Sequence, residues 1–349
     1  MSTTRQQSLL AHGLLLAVVA VWGATFGIVR NALRDCSPLL FVLIRMVLAF
    51  IALAIIYRKE FRRMNRTTIT AGAIAGFFLA TGYALQTAGL MTTTATHSAF
   101  LTGLVVVIVP ILCLIPALRP QSEAPTNEGR PTSEARTAES RHPERSAAQS
   151  KDLHSSPSPQ NPWKATTPLL GACGAFVGIV LLTTPANLPV SEFTHGFRIG
   201  DVLSLLCAIA FSAHLLSLAH LAKKIPTSQL ATLQIGFAAL ILAIATPIVE
   251  HPHLHLTRYL VFAILLCSFI ATAAAFYIQS WAQQHLAASH TALLLALEPA
   301  FALLTALLFF GERLTLRSGL GAALILCSLI ASELLSSQPV SEQPEANAA

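Results

Sequence analysis

One carboxylate stands inside an apolar run long enough to cross a bilayer: Glu298, in SHTALLLALEPAFALLTALLFFGER, with Pro299 directly after it. The 22 residues from Ser289 to Phe310 make roughly 33 Å of helix at about 1.5 Å per residue. An acid at that depth costs about 2.5–3.5 kcal/mol on insertion scales, so it belongs in a bundle interior or a wet cavity rather than against lipid. Pro299 has no backbone N–H to donate and weakens the helix at the same level. A carboxyl beside a broken backbone is one way to build a midplane solute site, and it can exchange a proton as the cavity opens to either side. Glu298 is therefore a candidate coupling residue. The structural alternative is a permanently protonated acid bonded to a carbonyl that Pro299 frees.

Other side chains at membrane depth could join it. Arg45 lies about seven residues after Pro38, placed either to meet a substrate anion or a gating carbonyl, or to snorkel to the headgroups. Gln86, Gln279 and Gln283 can bind a polar solute or bond helices together. Trp22 and Phe26, four apart on one helical face, can wall a cavity with Phe100, or simply pack. His214 is the one histidine well inside an apolar run, a proton carrier or a hydrogen-bonded packing residue. His251, His253 and His255 alternate as zinc ligands would in extended chain, but no second cluster completes a site.

The elements that must position these residues are membrane helices. Of 349 residues, 54% are hydrophobic and 11% charged, too little polar surface for a soluble globule of this size. We read ten spans, at about 8–29, 38–57, 69–90, 97–117, 167–184, 200–221, 228–248, 256–281, 289–310 and 315–335. The first is too long for a signal-peptide core and is expected to be retained. Six scattered cysteines with no C-x-x-C pair read as small core residues. G-x-x-x-G spacings at Gly72/Gly76 and Gly174/Gly178 imply close helix packing.

With both termini on the cytoplasmic side, inside segments carry fifteen of the 22 Lys and Arg residues and outside segments six, Arg45 being within a span. The cluster Arg58, Lys59, Arg62, Arg63 and Arg66 weighs most, so the positive charge orients a membrane protein rather than binding nucleic acid. At a constant offset of 193, Tyr83, Gln86, His97, Ser98 and Ala99 align with Phe276, Gln279, His290, Thr291 and Ala292. Five spans separate the members of each pair. An odd number reverses orientation, so the halves form an inverted-topology repeat. At the same offset Glu298 meets Val105, and the first half's nearest proline, Pro110, comes one turn late.

The Glu298–Pro299 pair, YIQSWAQQ before it, GER after it and the GLGAALILCSLIASEL that follows resemble the C-terminal repeat of the EamA family in the drug/metabolite transporter superfamily. VWGATF from Val21, Arg45, LQTAGLMTTTATHSAFLTGL from Leu85 and GDVLSLLCAIAFSAH from Gly200 are similar to the earlier parts of that family. The resemblance implies an all-α membrane protein of ten transmembrane helices in two inverted five-helix repeats. Residues 1–118 and 167–184 make the first repeat, 185–337 the second, and 338–349 a disordered tail. Residues 119–166, rich in Pro, Ser, Glu and Arg, read as a disordered cytoplasmic insertion where family members turn in a few residues.

The expected activity is secondary transport of small metabolites, amino-acid-like or drug-like, across a bacterial-type inner membrane by alternating access, with export implied by the family. Partners are the substrate, the bilayer and protons as coupling ion, with a monomer or weak homodimer as the assembly and no cofactor, metal or nucleic acid. The alternatives are a lipid or drug flippase of the same architecture and an intramembrane enzyme. The enzyme would need a catalytic set at depth, and the sequence offers only one acid there. No G-x-x-x-x-G-K-[ST] is present to bind nucleotide.

Overall fold

The computed structural model describes residues 3–61, 63–92, 101–120, 162–183, 199–309 and 315–336. Outside them lie 121–161 of the expected insertion, the segment 93–100 with Phe100, the GER motif, and the tail from 337. Among the described residues thirteen α-helices follow one another: α1 Thr3–Ala32, α2 Pro38–Ile56, α3 Arg58–Phe61, α4 Arg66–Leu90, α5 Val105–Cys113, α6 Pro162–Thr183, α7 Ile199–Leu221, α8 Thr227–Val249, α9 Arg258–Ser268, α10 Ala275–Ala282, α11 Ala288–Leu295, α12 Glu298–Phe309 and α13 Leu316–Ser336. A π-helical segment, Phe269–Ala274, joins α9 to α10. The protein is an all-α, multi-span membrane fold. Among the described residues seven helices, counting α9 to α10 and α11 to α12 as one each, are long and apolar enough to cross a membrane, and shorter apolar helices occupy 101–113, 170–181 and 316–331.

Local chemistry starts several of these helices. Pro38 opens α2 after an extended Ser37, where its missing N–H costs nothing. Asn65 and Thr68 cap α4 reciprocally, each side chain accepting the other's backbone N–H at 2.9 Å. Thr257 caps α9 through the Leu260 N–H and gives its own hydroxyl to Asp35 at 2.7 Å. Helix α6 begins at Pro162, inside the stretch assigned from sequence to the insertion, because proline suits a first helical position.

The first two helices of the chain are tied to α8 and α9 at one end of the bundle. Cys36 bridges Leu254, Ser37 donates to the His253 carbonyl at 3.0 Å, and the Glu250 carboxylate accepts the N–H groups of Leu39 and Leu40 at 3.2 and 2.8 Å. Glu250 thus supplies from another helix the cap that α2 lacks, where the helix dipole favours an anion. Glu250→Ala is expected to lower stability by about 1 kcal/mol, read as a lower thermal midpoint in detergent, with Glu250→Gln in between. The triple-histidine segment belongs to this tie. Among the described residues no three His, Cys, Asp or Glu side chains are placed to hold a metal.

Met46, Leu79, Ile235 and Leu242 are buried where α2, α4 and α8 meet, and Val19, Ile179, Leu293 and Ile325 where α1, α6, α11 and α13 meet. The glycine spacings act as close-packing sites. A Cβ on Gly76 would lie 2.7 Å from the Gln234 carbonyl of α8, and one on Gly178 would lie 2.8 Å from the Gly321 carbonyl of α13. On the outside of α8, Leu240, Ile244 and Ile248 form one exposed apolar stripe, a face suited to lipid.

Candidate functional site

The span read as 289–310 is two helices. Leu295 ends α11, Ala296 and Leu297 form a turn, and Glu298 begins α12. The cause is local, since Pro299 cannot donate to the carbonyl four residues back. The broken end places Glu298 at a helix N-terminus, where the unpaired N–H dipoles favour a carboxylate. The first half breaks at the matching place. Leu104 is a turn residue and Val105 begins α5, 193 before Leu297 and Glu298, although no proline stands there. Helix α1 lies across the second break at Gly23, where a Cβ would fall 2.7 Å from the Glu298 carbonyl.

Between these breaks is a cavity of about 550 Å³ lined by α1, α2, α4, α5, α7, α10, α11 and α12. It reaches the end of the bundle marked by the exposed Arg30, Arg34 and Met91. The 193-residue offset runs through its lining. Tyr83 and Phe276, Gln86 and Gln279, Thr102 and Leu295, Gly103 and Ala296, Val105 and Glu298, and Val106 and Pro299 all face it. Sequence alone identified the first two pairs and the Val105–Glu298 mismatch. At the opposite end Gln284 donates to the Ala222 carbonyl and the Thr227 hydroxyl at 2.9 Å, and the Tyr57 and Tyr277 rings stack 5.4 Å apart.

Arg45 does not snorkel. It is 6% exposed and turns into the bundle, its Nε donating to Thr272 Oγ1 at 2.8 Å and its Nη2 to the Tyr83 hydroxyl at 3.2 Å and the Ala271 carbonyl at 3.4 Å. Its guanidinium carbon lies 4.7 Å from the Tyr83 ring centroid, a cation–π contact. The π-helical segment makes this possible, for the altered register presents the Ala271 carbonyl sideways to Arg45 and to Trp22 Nε1, which donates to it at 2.8 Å. None of these Arg45 partners is a carboxylate. The Glu298 carboxylate, on the same cavity, has no hydrogen-bond partner among the described residues. Tyr83 stands within electrostatic reach of both charges. Neither Tyr83 nor Thr272 carried a sequence signal beyond the repeat pairing of Tyr83.

The remaining expected residues divide. Trp22, Gln86, His214, Gln279 and Pro299 line the cavity with Arg45 and Glu298, and Trp22 meets the Phe276 ring at 5.5 Å. Gln283 is not among the lining residues. One turn beyond Gln279, it is 1% exposed and donates to the Leu215 carbonyl at 3.0 Å, the helix-bonding alternative for a membrane amide. Phe26 lies in α1 but its side chain, like all of Phe100, is outside the described residues.

Residues 9–115 and 198–332 match the EamA-like transporter family. The chain belongs to the EamA-like transporter family. Like other members it is a multi-pass membrane transporter of the drug/metabolite type. An uncharacterized transporter of Archaeoglobus fulgidus is similar to this EamA chain, 28% identical over 317 residues, 90% of this chain and 83% of that one. A solved structure, described only as the crystal structure of a protein, shares the fold at a TM-score of 0.64 and 14% identity, over 94% of this chain and 99% of that chain.

Proposed function

We propose that this EamA-family protein is a secondary transporter of small amino-acid-like zwitterions, exporting them across a bacterial-type inner membrane by alternating access. The observation that carries the reading is the charge pair of the cavity. A guanidinium and a carboxylate, neither bonded to an opposite charge among the described residues, line one space with aromatic walls from Trp22, Tyr83, Phe211 and Phe276. An α-carboxylate suits the forked donors of Arg45, and an α-ammonium suits Glu298. Leaving either charge without a counterpart at depth is costly, which gives a zwitterion an advantage over an anion or a cation.

Two inverted five-helix repeats supply the motion. Packing supports them: α4 rests on α7 as α10 rests on α1, and α5 rests on α7 as α12 rests on α1, while α2 meets α8 and α6 meets α13 as self-related pairs. Exchange of the two halves therefore exchanges the contacts, the condition for rocking between two equivalent openings. With both termini cytoplasmic, the cavity described above opens outward, and Gln284 with the tyrosine stack closes the inner side. Reporter fusions after residues 66, 150, 224 and 349 should all report cytoplasm, and one at 253 the outside. A periplasmic signal at 150 would overturn the orientation.

Solute identity is tested by exchange in proteoliposomes. Vesicles loaded with a neutral amino acid should take up the labelled compound against external amino acid several-fold faster than protein-free vesicles. The corresponding amide and the corresponding carboxylic acid without its amine should compete poorly. Equal competition by all three would sink the zwitterion reading.

A further inference from the structure

His214 and Gln279 stand on the cavity wall with acceptor atoms turned to no protein donor. Each is 2% exposed, and both line the cavity. Gln279 Oε1 is buried without a hydrogen-bond partner, and no bond among the described residues holds the amide, so a turn about its last side-chain bond brings the oxygen to the cavity. For His214 the acceptor follows from a chain of bonds through three helices. Ser280 Oγ donates to the Phe276 carbonyl at 2.7 Å, so its one proton is used and it can only accept from Gln234. Gln234, 0% exposed, meets it through Nε2 at 2.9 Å, which leaves Gln234 Oε1 facing His214 Nε2 at 2.8 Å. An oxygen there demands a donor, so Nε2 carries the ring proton and Nδ1 of the neutral imidazole keeps its lone pair. The two residues are neighbours. Phe276, one turn before Gln279, packs its ring edge-on to His214 at 5.9 Å, and Gln283, one turn after, bonds the carbonyl of Leu215.

We propose that His214 Nδ1 and Gln279 Oε1 are specificity-determining acceptors for an uncharged hydrogen-bond donor, an amide N–H or a hydroxyl, on the side group of the transported zwitterion. Gln234 and Ser280 are positioning residues that hold His214 in the tautomer this needs. The inference rests on the zwitterion reading of the cavity. With the charged ends of the solute assigned to Arg45 and Glu298, these two neutral acceptors remain for what distinguishes one zwitterion from another. A site built to bond a donor strongly rejects an analogue of the same shape that lacks it, because its buried acceptors are then left unpaired.

The test uses the purified full chain and two near-isosteric pairs, asparagine against leucine and glutamine against methionine, each measured by competition in proteoliposome exchange and by ligand-induced thermal shift. The wild-type protein should favour the amide of each pair by at least roughly tenfold. His214→Phe or Gln279→Leu should bring that ratio near one. His214→Asn, whose amide oxygen can stand in for Nδ1, should restore part of it and serves where the Phe variant fails to fold. Gln234→Leu should lower the ratio while leaving leucine and methionine affinities unchanged, whereas a merely structural loss would weaken all four compounds alike. A wild-type ratio near one, or a ratio that survives His214→Phe, overturns the inference and leaves the zwitterion reading standing. If none of the four compounds binds, the zwitterion reading itself fails and the inference falls with it.

Discussion

Glu298→Gln is expected to reach the membrane at the wild-type level and to exchange solute with lowered affinity, since the α-ammonium loses its counter-charge, and to lose the response of the remaining transport to a pH gradient. The substitution keeps the size of the side chain and removes its negative charge together with its ability to titrate. Its site tolerates the change, because the Glu298 carboxylate holds no other group in place among the described residues and faces open cavity. One coupled proton under a one-unit gradient is worth about 1.4 kcal/mol, about tenfold in accumulation ratio. The wild-type protein in proteoliposomes should therefore show a gradient-driven accumulation of that order, and the variant should only equilibrate. Gradient-driven accumulation undiminished in the Gln variant would make Glu298 structural. The break before α12 belongs to Pro299, so it should persist in the variant, and the response to the gradient, rather than the affinity, reports on the proton.

Arg45→Leu is expected to abolish recognition of the carboxylate end of the solute while sparing the fold. Removing a charged hydrogen-bond donor costs about 1.5–3 kcal/mol, roughly ten- to a hundredfold in affinity. Two of the three groups it leaves keep a partner, and the third, the Tyr83 hydroxyl, belongs to a residue that lines the cavity. The Ala271 carbonyl keeps the Trp22 indole at 2.8 Å, and Thr272 keeps its own bond to the Cys267 carbonyl at 2.7 Å. The thermal midpoint should consequently fall little, while affinity for a zwitterion drops steeply and affinity for the same compound as its amide does not. Arg45→Lys should recover only part, because a single ammonium cannot span Thr272 Oγ1, the Tyr83 hydroxyl and a substrate carboxylate as the planar fork does. A Leu variant that binds zwitterion and amide with an unchanged ratio would remove Arg45 from the substrate site and leave it as packing for the π-helical segment.

The sequence by itself determined what depends on composition or on neighbours along the chain. Apolar runs separated by polar turns dictated a multi-span helical fold, because backbone groups in lipid must bond within their own helix. The Glu298–Pro299 pair dictated a broken helix with an acid at the break, because the missing N–H acts only four residues away. A fixed offset of 193 matched cavity residues in the two halves, because duplicated segments keep their register. The tertiary structure decided what depends on partners far along the chain. The bond from Arg45 to Thr272 joins residues 227 apart, and it needs a π-helical register in Phe269–Ala274 that no glycine or proline announces. The direction of His214 is set by Gln234 and Ser280 on two other helices, and the same packing draws Gln283 out of the cavity while leaving Gln279 in it. Helical periodicity cannot separate two amides four residues apart. Only the neighbouring helices decide which carbonyl takes the bond and which amide faces the empty space.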